Sequence, residues 1–80
     1  MGTPLVTVAG VIGFGGQVAV VIIDNRPKRY SYNVDEYGYE KGDRVIVPVK
    51  QGGPLHATII FMSSAKRYTS KATRTIIGRA

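Results

Sequence analysis

The sequence contains no cysteine, no tryptophan and one histidine in 80 residues. The absence of cysteine excludes a disulfide framework, a thiolate nucleophile and a zinc site built on cysteine ligands. His56 lies in an apolar stretch without a second histidine to share a metal ion, so a structural or surface role is predicted for it. Asp35 and Glu36 are adjacent and would point to opposite faces of a strand, which does not suit an acid–base pair. We therefore expect a protein that is not an enzyme and binds no cofactor or metal ion.

Acidic residues are few and confined to a short part of the chain. Eleven Lys and Arg residues stand against five Asp and Glu residues, which gives a net charge of +6. All five acids lie between Asp24 and Asp43, whereas residues 44–80 carry seven positive charges and no negative one. A surplus of this kind favours an anionic partner, with nucleic acid first and an acidic membrane surface second.

No apolar run in the sequence has the composition of a membrane-spanning helix. Residues 5–23 are uncharged, but four glycines interrupt them, and the first positive charge, Arg26, follows this stretch. A spanning helix needs about 20 mostly apolar residues, and a secretory leader begins with a basic region. We therefore expect a cytoplasmic protein that does not use the membrane.

Apolar residues follow the spacing of β-strands rather than that of helices. Short β-branched runs, bounded by glycine or proline turns, predict six strands. These are residues 5–9, 18–23, 29–34, 44–49, 55–62 and 73–77, with a glycine hairpin at 14–16 and a helical turn within 63–71. Pro48 marks an edge, a bulge or the end of its strand. The pattern predicts a single all-β domain over residues 1–80, a small closed or partly closed β-barrel of five to six antiparallel strands.

Tyrosine accounts for five of the seven aromatic residues, and four tyrosines fall within ten residues beside three cations. Aromatic faces stack on unpaired bases while neighbouring cations hold the phosphates. The alternation in residues 29–34 places Tyr30 and Tyr32 on one face and favours the core for both. For Tyr37 and Tyr39, in a glycine-containing connector, a structural role is open as well, but we predict that both are exposed and stack on bases.

Cations on either side of the acidic stretch are the predicted phosphate contacts. They would bind a phosphate backbone without sequence preference, with an affinity that falls steeply as salt rises. The predicted contacts are Arg26, Lys28, Arg29, Arg44, Lys50, Lys66 and Arg67.

Three motifs occur in a recognisable order along residues 20–62. They are the aromatic segment Arg-Tyr-Ser-Tyr at 29–32, the block Lys-Gly-Asp-Arg-Val-Ile-Val-Pro-Val at 41–49, and a hydrophobic strand at 57–62. Together they resemble the N-terminal DNA-binding domain of PriA-type replication-restart helicases. That domain is a small β-barrel that captures the three-prime end of a nascent strand at a fork. The resemblance implies that Tyr30 matches the family's aromatic residue and that Gly42 matches its turn glycine, whereas Ser31 replaces the acid that holds the terminal hydroxyl.

The sequence as a whole predicts a non-enzymatic nucleic-acid-binding barrel, with DNA, single-stranded or forked, favoured over RNA. An accessory protein of a phage or another mobile element fits this description. No nucleotide-binding loop is present, so helicase activity is not expected. The alternative is a protein-interaction or assembly module, in which the uncharged first 23 residues join copies of the chain or bind a host protein.

Overall fold

The computed structural model describes residues 16–80, which form five strands and one short helix. The elements are β1 (Val18–Ile23), β2 (Arg29–Asn33), β3 (Arg44–Val47), β4 (Leu55–Ser63), α1 (Lys66–Thr69) and β5 (Gly78–Arg79). The strands predicted over 18–23, 29–34, 44–49 and 55–62 and the helical turn within 63–71 are confirmed. The strand predicted over residues 5–9, and the hairpin joining it to β1, lie outside the described residues.

All five strands belong to one antiparallel sheet in the order β2-β1-β4-β3-β5. The register between β1 and β4 shifts between Val20 and Val21, which is a β-bulge that strengthens the local twist of the sheet. The protein is therefore mostly β, as the sequence predicts, and its sheet curls into a barrel that is only partly closed.

The inner face of the sheet carries the hydrophobic core. Val45 and Val47 of β3, Val21 of β1 and Ile59 of β4 are completely buried. Tyr32 of β2 joins the same cluster, and its hydroxyl donates a hydrogen bond of 2.8 Å to the carbonyl of Pro48. Strand β3 ends at Val47 because the following proline has no N–H to offer a neighbouring strand.

The C-terminal segment, residues 70–80, crosses from one edge of the sheet to the other. The N–H of Asn33 in β2 donates to the carbonyl of Arg74 at 2.8 Å, and the N–H of Ile76 donates back to the carbonyl of Asn33 at 2.9 Å. One residue further, the N–H of Ile77 donates to the carbonyl of Ile46 in β3 at 2.9 Å. Through these hydrogen bonds the C-terminal segment links Asn33 of the edge strand β2 to Ile46 of β3.

The strand predicted over residues 73–77 is wrong in its position. Thr75 makes only an isolated bridge to Asn33, and the ladder proper is the two-residue β5. The cause is the crossing itself, because successive N–H groups of this segment bond to two different strands rather than along one. Within the described chain, no helix is long and apolar enough to cross a membrane.

Candidate nucleic-acid interface

A cleft of about 390 Å³ lies between β2 and the chain that follows β4. We call it the seam cleft, because it occupies the gap where the barrel is not closed. Its lining includes Arg29, Tyr30 and Ser31 from β2, and Tyr68, Lys71 and Arg74 from α1 and the C-terminal segment. Its volume lies within the range of roughly 300–1,000 Å³ that small-molecule sites occupy.

Among residues 16–80, only Asn33 of β2 is paired on the outer side of that strand, and the seam cleft lies beside the part of β2 that is left without such pairing. Both backbone groups of Asn33 point away from β1 and bond to the C-terminal segment. In an antiparallel ladder this orientation recurs at every second residue, so the backbone groups of Ser31 and Arg29 point the same way. The C-terminal segment makes no backbone hydrogen bond there within residues 16–80. The open edge of β2 therefore forms one wall of the seam cleft.

Helix α1 supplies the opposite wall. The ring of Tyr68 packs edge to face against Phe61 of β4, with ring centroids 5.2 Å apart. The amide of the Asn33 side chain donates to the carbonyl of Ala72 at 3.3 Å. These contacts fix the chain between α1 and β5, and with it the backbone that carries Lys71 and Arg74.

A second cavity of about 190 Å³ adjoins the seam cleft on the side of the β1–β2 turn. We call it the Arg26 groove. It is lined by Arg26, Lys50 and Val49, together with Tyr30, Tyr32 and Arg74, which also line the seam cleft. The shared residues make the two cavities neighbours along one surface.

Five cations line the two cavities without a carboxylate to neutralise them. They are Arg26, Arg29, Lys50, Lys71 and Arg74. The ion pairs of the described residues involve other cations, and no Asp or Glu lines either cavity. Burial raises the pKa of the Tyr32 hydroxyl, and the charges of Arg74 and Arg26 oppose that shift. Both guanidinium groups are therefore close enough for their charges to act on the Tyr32 hydroxyl.

Arg44 is held by a carboxylate elsewhere on the surface. Its guanidinium donates to both oxygens of Asp24, at 2.7 and 2.6 Å, and to Oγ1 of Thr58 at 2.8 Å. The hydrogen bonds from Arg44 hold the pKa of Asp24 below its usual value. Because the pKa is lower in the folded state, the pair stabilises the fold above the unfolded pKa, and this contribution is lost as the pH falls through the folded pKa. Arg44 lines neither cavity.

Tyr39 is buried, so the exposed stacking role predicted for it from the sequence is wrong. Only 8% of the residue is accessible, and it belongs to the core cluster. The guanidinium of Arg79 lies over its ring, 4.3 Å from the centroid, and donates to Glu36 at 2.6 Å. A base has no access to a ring that the core and a stacked cation already cover.

Of the ten predicted site residues, four line the seam cleft or the Arg26 groove and six line neither cavity. Arg26, Arg29, Tyr30 and Lys50 line the two cavities. Tyr37 is 67% exposed in the connector between β2 and β3 and lines neither cavity. Lys28, Lys66, Tyr39 and Arg44 line neither cavity either. Arg67 is not a lining residue, but its guanidinium lies 5.8 Å from the ring centroid of Tyr68 in the seam cleft.

Lys71, Arg74 and Tyr68 are the site residues that the predicted set lacks. The signal for the two cations was the acid-free half of the sequence, in which both lie. No pattern in the sequence indicates the pairing of Asn33 with Arg74 and Ile76, which brings residues about forty positions apart into contact.

Residues 16–80 contain no candidate metal site, because no group of three or more His, Asp and Glu residues among them is placed to hold a metal ion.

The three motifs that resemble the PriA-type domain lie on β2, on the turn into β3 together with β3, and on β4. Comparison of the chain with known protein families, with curated proteins and with solved structures found no match. Membership of the PriA-type family therefore stays a prediction, and the seam cleft and the Arg26 groove are the features from which a function can be inferred.

Proposed function

We propose that the protein binds single-stranded nucleic acid through the seam cleft and the Arg26 groove, without catalysing a reaction. The observation that carries this proposal is a set of five cations in two adjoining cavities that share Tyr30, none of them paired with a carboxylate among the described residues. Nucleic acid is the ligand class that combines repeated negative charge with flat aromatic groups. DNA is favoured over RNA by the resemblance of residues 20–62 alone.

Repeated phosphates match the arrangement of the cations. Arg29 and Lys71 line the seam cleft, Arg26 and Lys50 line the Arg26 groove, and Arg74 lines both. Each cation that neutralises a phosphate releases a condensed counterion, and this release provides most of the affinity in binding without sequence preference. Because these five cations form no ion pair with the acids of residues 16–80, no such pair has to be broken when a phosphate binds.

The tyrosines favour single strands over duplexes. Tyr30 and Tyr68 are half-buried and line a cavity rather than a flat surface. A base reaches a ring in such a cavity only when it is not paired and stacked in a helix. Stacking of this kind contributes about 1–3 kcal/mol per base and tolerates every base, because each has a flat face.

A salt titration with a fluorescently labelled oligothymidylate tests the proposal. Five phosphate contacts predict a slope of log affinity against log salt of about −3.5, which corresponds to roughly a hundred-fold loss between 50 and 200 mM salt. Fluorescence anisotropy at several salt concentrations measures the slope. Affinity that does not change with salt would contradict the proposal, and an RNA oligomer of equal length shows whether DNA is preferred.

Replacing Tyr30 by Leu tests the stacking contact. We expect a loss of about 1–3 kcal/mol in the free energy of binding, with an unchanged salt slope, because the ring carries no charge. The matched control is Tyr37→Leu, which removes an exposed tyrosine that lines neither cavity and is expected to leave the affinity within about two-fold. Equal effects of the two substitutions would rule out a specific contact at Tyr30. Circular dichroism of both variants checks that the fold is retained.

The biological setting follows from the proposed ligand. Binding of nucleic acid implies a site of action inside the cell, and an accessory role in a phage or another mobile element belongs to the same proposal. The assembly alternative depends on the uncharged first 23 residues, most of which lie outside the described part of the chain.

A further inference from the structure

Arg74 lies where the two cavities of the interface meet. With Tyr30 and Tyr32 it lines both the seam cleft and the Arg26 groove. Each cavity also has cations of its own, namely Arg29 and Lys71 in the cleft and Arg26 and Lys50 in the groove. A bound strand that occupies both cavities has a positive charge before, at and after the junction.

Resting on the proposed function, we infer that the site binds the interior of a strand and requires no strand end. One nucleotide occupies the seam cleft, its neighbour occupies the Arg26 groove, and Arg74 contacts the phosphodiester that links them. The smallest ligand that engages both cavities is a dinucleotide, and a longer strand extends away from the site in both directions.

The charges of the site argue against capture of a terminus. A carboxylate that accepts a hydrogen bond from a terminal hydroxyl also repels a phosphate, so it marks the end of a strand rather than a path for one. No Asp or Glu lines either cavity, and Ser31 of the seam cleft brings no charge. Two acids of the described chain, Asp24 and Glu36, are held instead by Arg44 and Arg79. The site therefore suits a phosphate on each side of the bound base.

A circular oligothymidylate distinguishes interior binding from end capture. We expect a circle of about 40 nucleotides and the linear strand of equal length to bind with affinities within about two-fold at roughly 50 mM salt, because both offer the same phosphates. Binding of the linear strand without binding of the circle would overturn the inference and leave the proposed function standing. If neither strand binds, the proposed function itself fails.

A dinucleotide isolates the role of Arg74, because it contains a single internucleotide linkage. We expect thymidylyl-thymidine to bind the wild-type protein about two- to five-fold more tightly than its neutral methylphosphonate analogue, the effect of one exposed ion pair. In Arg74→Gln this ratio is expected to fall close to one. In Lys41→Gln, which removes an exposed cation that lines neither cavity, the wild-type ratio is expected to remain. Chemical-shift titrations measure both affinities, and an unchanged ratio in Arg74→Gln would overturn the inference.

Discussion

Replacing Arg29, Lys71 and Arg74 together by Gln is expected to weaken binding of single-stranded DNA on the order of 500-fold at about 50 mM salt. All three residues line the seam cleft, and none of them takes part in an ion pair. Each lost phosphate contact removes about 0.7 from the salt slope, so the slope is expected to fall from about −3.5 to about −1.4. The loss of affinity and the loss of slope arise from the same released counterions and should appear together.

A second triple variant separates local contacts from net charge. Lys28, Lys41 and Lys66 line neither cavity and take no part in the ion pairs of residues 16–80, and their replacement by Gln removes the same three positive charges. We expect a loss of affinity below about five-fold, because these cations line neither cavity and salt screens the interactions of exposed charges that make no direct contact. Anisotropy titrations of both variants measure the difference, and thermal unfolding checks that each remains folded. Comparable losses in the two variants would show that binding follows net charge and has no defined site.

The fold could be predicted well from sequence wherever pattern and local chemistry agree. Short β-branched runs between glycine or proline turns identified β1, β3 and β4, and Pro48 indicated where β3 stops. Tyr32 went to the core because its strand alternates, and its hydroxyl is satisfied by a backbone carbonyl. These outcomes depend on neighbours along the chain or on the face of one strand, which a sequence displays directly.

The site could be predicted only in part, because it depends on contacts between distant residues. Arg29 was predicted as one of the cations beside the tyrosines and Tyr30 through the resemblance of its segment, whereas Lys71 and Arg74 reach β2 through the pairing of Asn33 with the C-terminal segment. Tyr39 was predicted to be exposed because neither its neighbours nor its spacing shows that Arg79, forty residues away, lies over its ring. A single sequence shows how many cations and aromatic residues a chain contains. Which of them lie close together depends on the path of the folded chain.

Incomplete closure of the barrel explains why the site lies where it does. A fully paired β2 would leave no gap for a ligand, and an unpaired β2 would expose an edge prone to association. The single bridge at Asn33 holds the C-terminal segment against this edge while leaving Ser31 and Arg29 open to the seam cleft. Stability and the proposed binding therefore involve the same crossing segment.

Ile76→Ala is expected to lower the free energy of unfolding by about 2–5 kcal/mol, the usual cost of deleting a fully buried aliphatic side chain. Ile76 is 1% exposed and is the core residue of the crossing segment, next to the bridge that joins this segment to β2. Domains of this size have a total stability of roughly 4–12 kcal/mol, so the loss removes a large part of it. Urea unfolding followed by circular dichroism measures the change as a lower midpoint.

Ile77→Ala provides the matched control, because the neighbouring isoleucine loses the same atoms from a side chain that is 55% exposed. Its expected effect on stability is within about 0.5 kcal/mol. If the two substitutions cost the same, Ile76 does not anchor the segment. If Ile76 is the anchor, the Ile76→Ala variant also binds single-stranded DNA more weakly under conditions where it remains folded, because the backbone that carries Lys71 and Arg74 is no longer held beside β2. Loss of stability without any loss of affinity would instead mean that the cations of this segment do not need the crossing to reach the ligand.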